Sequence, residues 1–286
     1  MRKGTIDPGP LRFSGRRVAV IAGQAFQEAV RQRVFVFTTL LAALLVVGSL
    51  GLRELDFGGA ELKFVADFGH GALVLFGSVL TIVTTVQLLG GELENRTVLP
   101  VLARPVRRGE FICGKFFGAW AVVLVFCATV TGLLLAVLWL RDLGRPAQWS
   151  ESALAPTGPA TLYMGVVVGG LLQAVKFGLL TAIVLLIGSY AQTNLFAQAA
   201  SFLVLTICHL QYLAHDVWRS GAGWAARIGG GAIGLLFPNF QLFGAEYSDF
   251  GSAGEWLLAG RVAIYGLGYA AVFLALAVWS FRRREI

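Results

Sequence analysis

The sequence predicts an all-α membrane protein, a polytopic bundle of six transmembrane helices, and three observations carry that prediction. Hydrophobic residues make up 57% of the 286 positions and charged residues only 14%. A soluble domain carries roughly 25% charged residues, so this chain has too little charge to cover a water-facing surface. Its apolar residues gather into long uncharged stretches, and one crossing of a ~30 Å hydrocarbon core takes about 20 such residues. The basic residues lie almost entirely between those stretches, as expected of loops outside a bilayer.

Residues 1–33 form an N-terminal segment rich in Arg and Gln. It is far longer than the basic region of a secretory signal, so the apolar run behind it is read as a retained span. Ser14–Arg33 has helical periodicity: Ile21, Ala22, Ala25, Phe26, Ala29 and Val30 share one face, and Arg17, Gln24, Glu28 and Arg31 another. Such a helix lies in the bilayer surface with its arginines toward anionic headgroups; the alternative is a solvated helix.

A single transmembrane domain occupies 34–281. Uncharged runs place spans at 34–52, closed by Arg53 and Glu54, at 68–90, and at 112–140 with Lys115 near its start. From Phe177 to His215 there is no Asp, Glu, Lys or Arg, too long a run for one crossing at about 1.5 Å per residue. The polar break Gln192-Thr193-Asn194 divides it, giving spans at 161–190 and 195–213. The last span runs 259–281 and stops at Arg282-Arg283-Arg284, leaving 282–286 as a tail.

Seven basic residues in the N-terminal segment, five in 91–115 and three in the tail mark one side of the membrane. The opposite loops hold seven over a greater length, with most of the acids. Both termini and the 91–111 loop are therefore read as cytoplasmic. The uncharged stretch 228–245 contains Gly229-Gly230-Gly231 and Pro238-Asn239. A full crossing there puts the arginine tail outside, and each Gly costs a helix about 1 kcal/mol relative to Ala. An outer re-entrant hairpin removes both objections, because irregular backbone is tolerated at membrane depth where protein covers it.

The most informative stretch is the loop Gly91–Lys115. It leaves the membrane through Glu92, Glu94 and Arg96, forms a short apolar element, turns at Arg104-Pro105 and re-enters behind Gly109. Val98, Leu99, Val101 and Leu102 have few partners within so short a loop, and apolar residues rimmed by charge suit a protein-docking surface. The alternative is a connector whose leucines dip back toward lipid.

At these residues the chain resembles the permease subunits of type-2 ABC exporters. Glu92, Glu94, Arg96, Thr97, Leu99, Leu102, Pro105, Arg107, Arg108, Gly114 and Lys115 fall on that family's first cytoplasmic loop, an acid-Arg-Thr-leucine-rich element, a Pro-Val-Arg-Arg turn and Gly-Lys. An N-terminal amphipathic elbow helix, six spans and an outer re-entrant hairpin also suit it. Pro100 departs from the pattern by interrupting the short helix, which moves the helix start toward Pro100. The resemblance implies a permease in the bacterial cytoplasmic (inner) membrane. It pairs with a second permease subunit, as homo- or heterodimer, and exports a substrate. ATP and Mg belong to a separate ATP-binding subunit, and this chain binds no cofactor of its own. The implied docking residues are Glu92, Glu94, Arg96, Thr97, Leu99, Leu102, Arg104, Pro105, Arg107 and Arg108. The competing readings are a polytopic membrane enzyme acting on lipid and an ATP-independent channel or structural subunit; neither a Gly-x-Ser-x-Gly nor a His-Glu-x-x-His motif supports the former.

Other motifs carry less. Gly109-Glu-Phe-Ile-Cys-Gly114-Lys115 matches seven positions of a phosphate-binding loop, but Phe116 replaces the magnesium-binding hydroxyl and no strand precedes it. Asn95-Arg96-Thr97 is a glycosylation pattern on the expected cytoplasmic side. The basic residues lack the aromatic interleaving of a nucleic-acid binder. Cys113, Cys127 and Cys208 are read as buried free thiols, and His70, His209 and His215 lack metal-ligand spacing. His70 and His215 are expected at the interfaces and His209 within the bundle. Lys176 lies deep in the fourth span, about 20 Å along the helix from Tyr163 and from Tyr190. It is read as a residue of the substrate pathway or as a lysine snorkelling to the surface, served by a carbonyl, Gln173 or water. Gly165–Gly169 and Gly114–Gly118 are small-xxx-small pairs, suited to a dimer seam or to packing within the subunit.

Overall fold

The computed structural model describes residues 13–54, 61–94, 107–143, 159–219, 234, 236–244 and 253–283. Among them the regular elements are all helical: α1 (Gly15–Val30), α2 (Arg33–Gly48), α3 (Glu61–Glu94), α4 (Arg108–Leu143), α5 (Pro159–Tyr190), α6 (Asn194–Arg219) and α7 (Ala253–Arg283), with short 3₁₀ turns at Ser49–Glu54 and Phe240–Phe243. Helices α2 to α7 supply six segments long and apolar enough to cross a membrane. Within a bilayer all their backbone groups must be paired internally, which a helix does by itself.

Two of the helix junctions lie among the described residues, and both are polar. Gln32 is in extended conformation between α1 and α2. Between α5 and α6, Thr193 caps the new helix, its hydroxyl accepting the Phe196 N–H at 3.3 Å. Helix α3 begins earlier than the apolar run at 68, taking in Lys63 and Asp67, because a helix can continue beyond the hydrocarbon with its charges at the surface.

Helices α3, α4 and α5 make the interior. The apolar window of α5 is 78% buried, against 17% for α6 and 22% for both α2 and α7. Lipid is as apolar as leucine, so packing and specific hydrogen bonds hold such helices together. The Trp120 indole donates to the Ala174 carbonyl at 2.9 Å, joining α4 to α5. The Ser189 and Ser280 hydroxyls meet at 2.8 Å, joining α5 to α7. At the other end, buried Arg141 of α4 donates to the Ser49 carbonyl behind α2.

Candidate functional site

Two places in the bundle collect groups that packing alone does not require. The first is the end where α3 and α5 finish, α4 and α6 begin and α7 finishes, which is also where α1 lies. The second is a polar cluster around Lys176.

At the first, α1 lies along the beginning of α4. Of the expected apolar face Ala25 and Ala29 are buried and Ile21, Ala22, Phe26 and Val30 half-buried; of the expected polar face Gln24, Glu28 and Arg31 are exposed, but Arg17 is half-buried because its guanidinium turns in to Glu110. Gly114 and Gly118 make the contact close. A Cβ on Gly114 stands 2.5 Å from Ile21 Cγ2, and one on Gly118 stands 2.5 Å from Ala25 Cβ and 2.8 Å from the Ala22 carbonyl oxygen. This glycine pair therefore serves packing inside the subunit. Gly165 and Gly169 are likewise buried within the subunit.

The start of α4 is pinned by charge. Glu110, fully buried, occupies the third position of the helix, and its Oε2 accepts the backbone N–H of Arg107 at 3.1 Å, the reaching-back half of a capping box. Its Oε1 accepts the Ser14 backbone N–H at 2.8 Å and an Arg17 guanidinium N–H at 2.9 Å. Further along, Lys115 Nζ pairs with Glu28 at 3.5 Å. Arg108 Nη1 donates to the Arg282 carbonyl at 3.1 Å, and the Phe111 and Phe281 rings stack 5.8 Å apart, so α7 ends against the same turn. The end of α3 is fixed too: Gly90 abuts the Asn194 side chain so closely that a Cβ has no room. The segment 109–115 that resembles a phosphate-binding loop is continuous helix.

Of the expected docking residues, Arg96, Thr97, Leu99, Leu102, Arg104 and Pro105 lie outside the described residues, as does Pro100. Glu92 and Glu94 stand in the last turn of α3, with side chains outside the described set. Arg107 and Arg108 stand at the start of α4, both half-buried. Glu110, Arg17 and Ser14 were not singled out from sequence as a group. The signal was local and weak: an acid three residues after a helix start.

At the second place, Lys176 is 2% exposed, and its Nζ lies 3.2 Å from His209 Nε2 and 5.5 Å from the centre of the Phe240 ring. His209 Nδ1 is 2.9 Å from the Leu205 carbonyl, so Nδ1 carries the ring proton and Nε2 accepts from the lysine. The expected partner Gln173 is engaged elsewhere: its Nε2 donates to the Phe243 carbonyl at 3.0 Å and lies 3.0 Å from His70 Nε2. Helical spacing explains this, because positions 173 and 176 share a face but differ in depth by about 4.5 Å. His70, expected at an interface, thus turns inward. The side chain of His215 lies outside the described set, and Cys127 and Cys208 are buried free thiols, with Cys113 half-buried.

The part of 228–245 that is described is Gly234 and 236–244, where Pro238 is buried while Leu236, Gln241, Leu242 and Gly244 are exposed. Phe240 and Phe243 are fully buried against α5 and α6. Asn239 caps the 3₁₀ turn through Oδ1 to the Gln241 N–H at 2.9 Å, and its own N–H donates to the Tyr265 hydroxyl at 3.1 Å. Gln211 Nε2 donates to the Gly234 carbonyl at 3.1 Å.

No curated protein matches the chain. Residues 19–286, nearly the whole sequence and all six candidate spans, match the family described as ABC-2 family transporter protein. The chain therefore belongs to the ABC-2 transporter family and is the membrane permease subunit of an ATP-binding-cassette transporter.

Proposed function

We propose that this permease exports its substrate from a bacterial cell. Its α1 end faces the cytoplasm, and the 91–111 connection is the part that docks on the separate ATP-binding subunit implied by the family. The observation that carries the reading is that both ends of this short connection are held rigidly, by Gly90 against Asn194 and by the Glu110 contacts. A loop anchored so firmly transmits a push instead of absorbing it. The docking surface comprises Glu92, Glu94, Arg96, Thr97, Leu99, Leu102, Arg104, Pro105, Arg107 and Arg108, with the leucines as apolar anchors and the arginines as the charged rim. ATP and Mg stay on the partner, whose closure displaces two such loops, one from each of two paired permease subunits.

Further support comes from charge: the N-terminal segment, 91–115 and the tail carry fifteen of the 23 Lys and Arg residues, as the positive-inside rule requires of cytoplasmic segments. Both termini then lie in the cytoplasm, α1 lies as an elbow in the membrane surface, and 228–245 is a re-entrant hairpin from the outside. Lys176, read from sequence as a pathway residue or a snorkelling lysine, meets that hairpin at the Phe240 ring.

The test is co-purification from the native membrane. The parent chain brings down an ATPase, and Leu99→Asp, Leu102→Asp or Arg107→Glu loses it while membrane insertion is retained. A complex that survives all three substitutions overturns the docking surface.

A further inference from the structure

Glu110 joins two helices at their starts. Its carboxylate is fully buried, and the three donors that converge on it come from both sides of the α1–α4 contact: Ser14 N–H and Arg17 Nη2 from α1, and Arg107 N–H from α4. Charge-assisted bonds of this kind are the strong ones. The residue is among the last of the 91–111 connection, where the chain has already become the first turn of α4, and the helix continues from there without a break. Downstream, Gly114, Lys115 and Gly118 continue the contact along the same face of α4.

We propose that Glu110 is a positioning residue that yokes α1 to the start of α4, so that the amphipathic helix moves as one body with the connection when the connection is displaced. The proposal rests on the docking reading above and adds to it a second moving part. A displacement delivered at Arg107 reaches α1 through the carboxylate before it reaches the membrane interior. Helix α1 then moves against the rest of the bundle, and because α2 follows it after only Arg31 and Gln32, the first span is drawn along at one end.

The experiment uses the full chain in complex with its co-purifying ATPase, with spin labels at Gln24 and Gln192 and the native cysteines replaced. Gln24 is exposed on α1, and Gln192 is exposed in the α5–α6 turn. The distance is measured with and without ATP plus vanadate. The parent and Arg17→Lys, which keeps a cationic donor, are expected to show a shift of about 2 Å or more, the scale of helix displacements in switching proteins. Glu110→Gln is expected to lose the shift while still inserting and still binding the ATPase. Should Glu110→Gln fail to insert, Arg17→Ala carries the same comparison. A full shift in Glu110→Gln, or no shift in the parent complex, overturns the yoke and leaves docking standing. If the unlabelled parent chain recovers no ATPase, the docking reading fails, and the yoke falls with it for want of anything to transmit.

Discussion

Replacing Gly118 by alanine sets a methyl group 2.5 Å from Ala25 Cβ and 2.8 Å from the Ala22 carbonyl oxygen. Carbon atoms prefer separations of about 3.5–4.0 Å, so α1 must retreat from α4 by roughly 1 Å. Neither neighbour has a rotamer to yield, since one is an alanine Cβ and the other is backbone. Overpacking of this kind costs about 1–3 kcal/mol, and the cost falls on the seating of α1. Gly132 lies on the same helix, and a methyl group placed there meets nothing within 4 Å. Gly132→Ala is therefore a control of opposite sign, gaining about 1 kcal/mol of helix propensity. The assay is hydrogen exchange of α1 peptides in detergent micelles, which reports local opening. Exchange in α1 is expected to quicken by about 5- to 150-fold in Gly118→Ala, the equivalent of that cost, with α5 unchanged. Parent-like exchange in Gly118→Ala, or equal acceleration in Gly132→Ala, shows that the Gly118 contact does not seat α1.

Gln173→Leu removes the donor to the buried Phe243 carbonyl, and an unpaired buried group costs about 1–3 kcal/mol; the thermal midpoint in detergent is expected to fall, and an unchanged midpoint contradicts the assigned bond. Lys176→Met takes the one Lys, Arg, Asp or Glu out of the middle of α5, so insertion of this helix in a translocon assay is expected to improve by about 2.5–3.5 kcal/mol, and equal insertion argues against so deep a placement. Glu28→Gln removes the charge from a half-exposed carboxylate paired at 3.5 Å with buried Lys115 but keeps an acceptor oxygen there; a stability change of about 1 kcal/mol or less is expected, and a large loss shows that this pair, not Glu110, holds α1.

Much of the architecture was legible because it depends on one-dimensional properties. Uncharged runs bounded by charge place helices, and Gln192-Thr193-Asn194 read correctly as a break because a capping hydroxyl acts on its own local backbone. The amphipathic face of α1 was readable for the same reason, since helical periodicity decides which residues lie together before any partner is known. The partners were not readable. Glu110 lies 93 positions from Arg17 and 96 from Ser14, and nothing in the local pattern around Gly109-Glu110 names a helix so distant in sequence. Gly114 and Gly118 showed that some helix approaches closely there, without showing that it is α1.

Hydropathy and charge alone mark a helical membrane protein with six long apolar segments, and the basic loop between the second and third resembles that of a transporter permease. Those conclusions follow from hydropathy, charge position and a local motif, all properties of neighbouring residues. The folded bundle is what sets Lys176 against His209 and the face of Phe240, and Gln173 against Phe243 and His70. Only it brought α1 and α4 together on a single buried carboxylate. The physical reason is that lipid and protein interior are alike apolar to a helix, so hydropathy sets whether a segment crosses but not which neighbour it packs on. That choice belongs to close-range fit and to a few hydrogen bonds, which exist only once the helices meet.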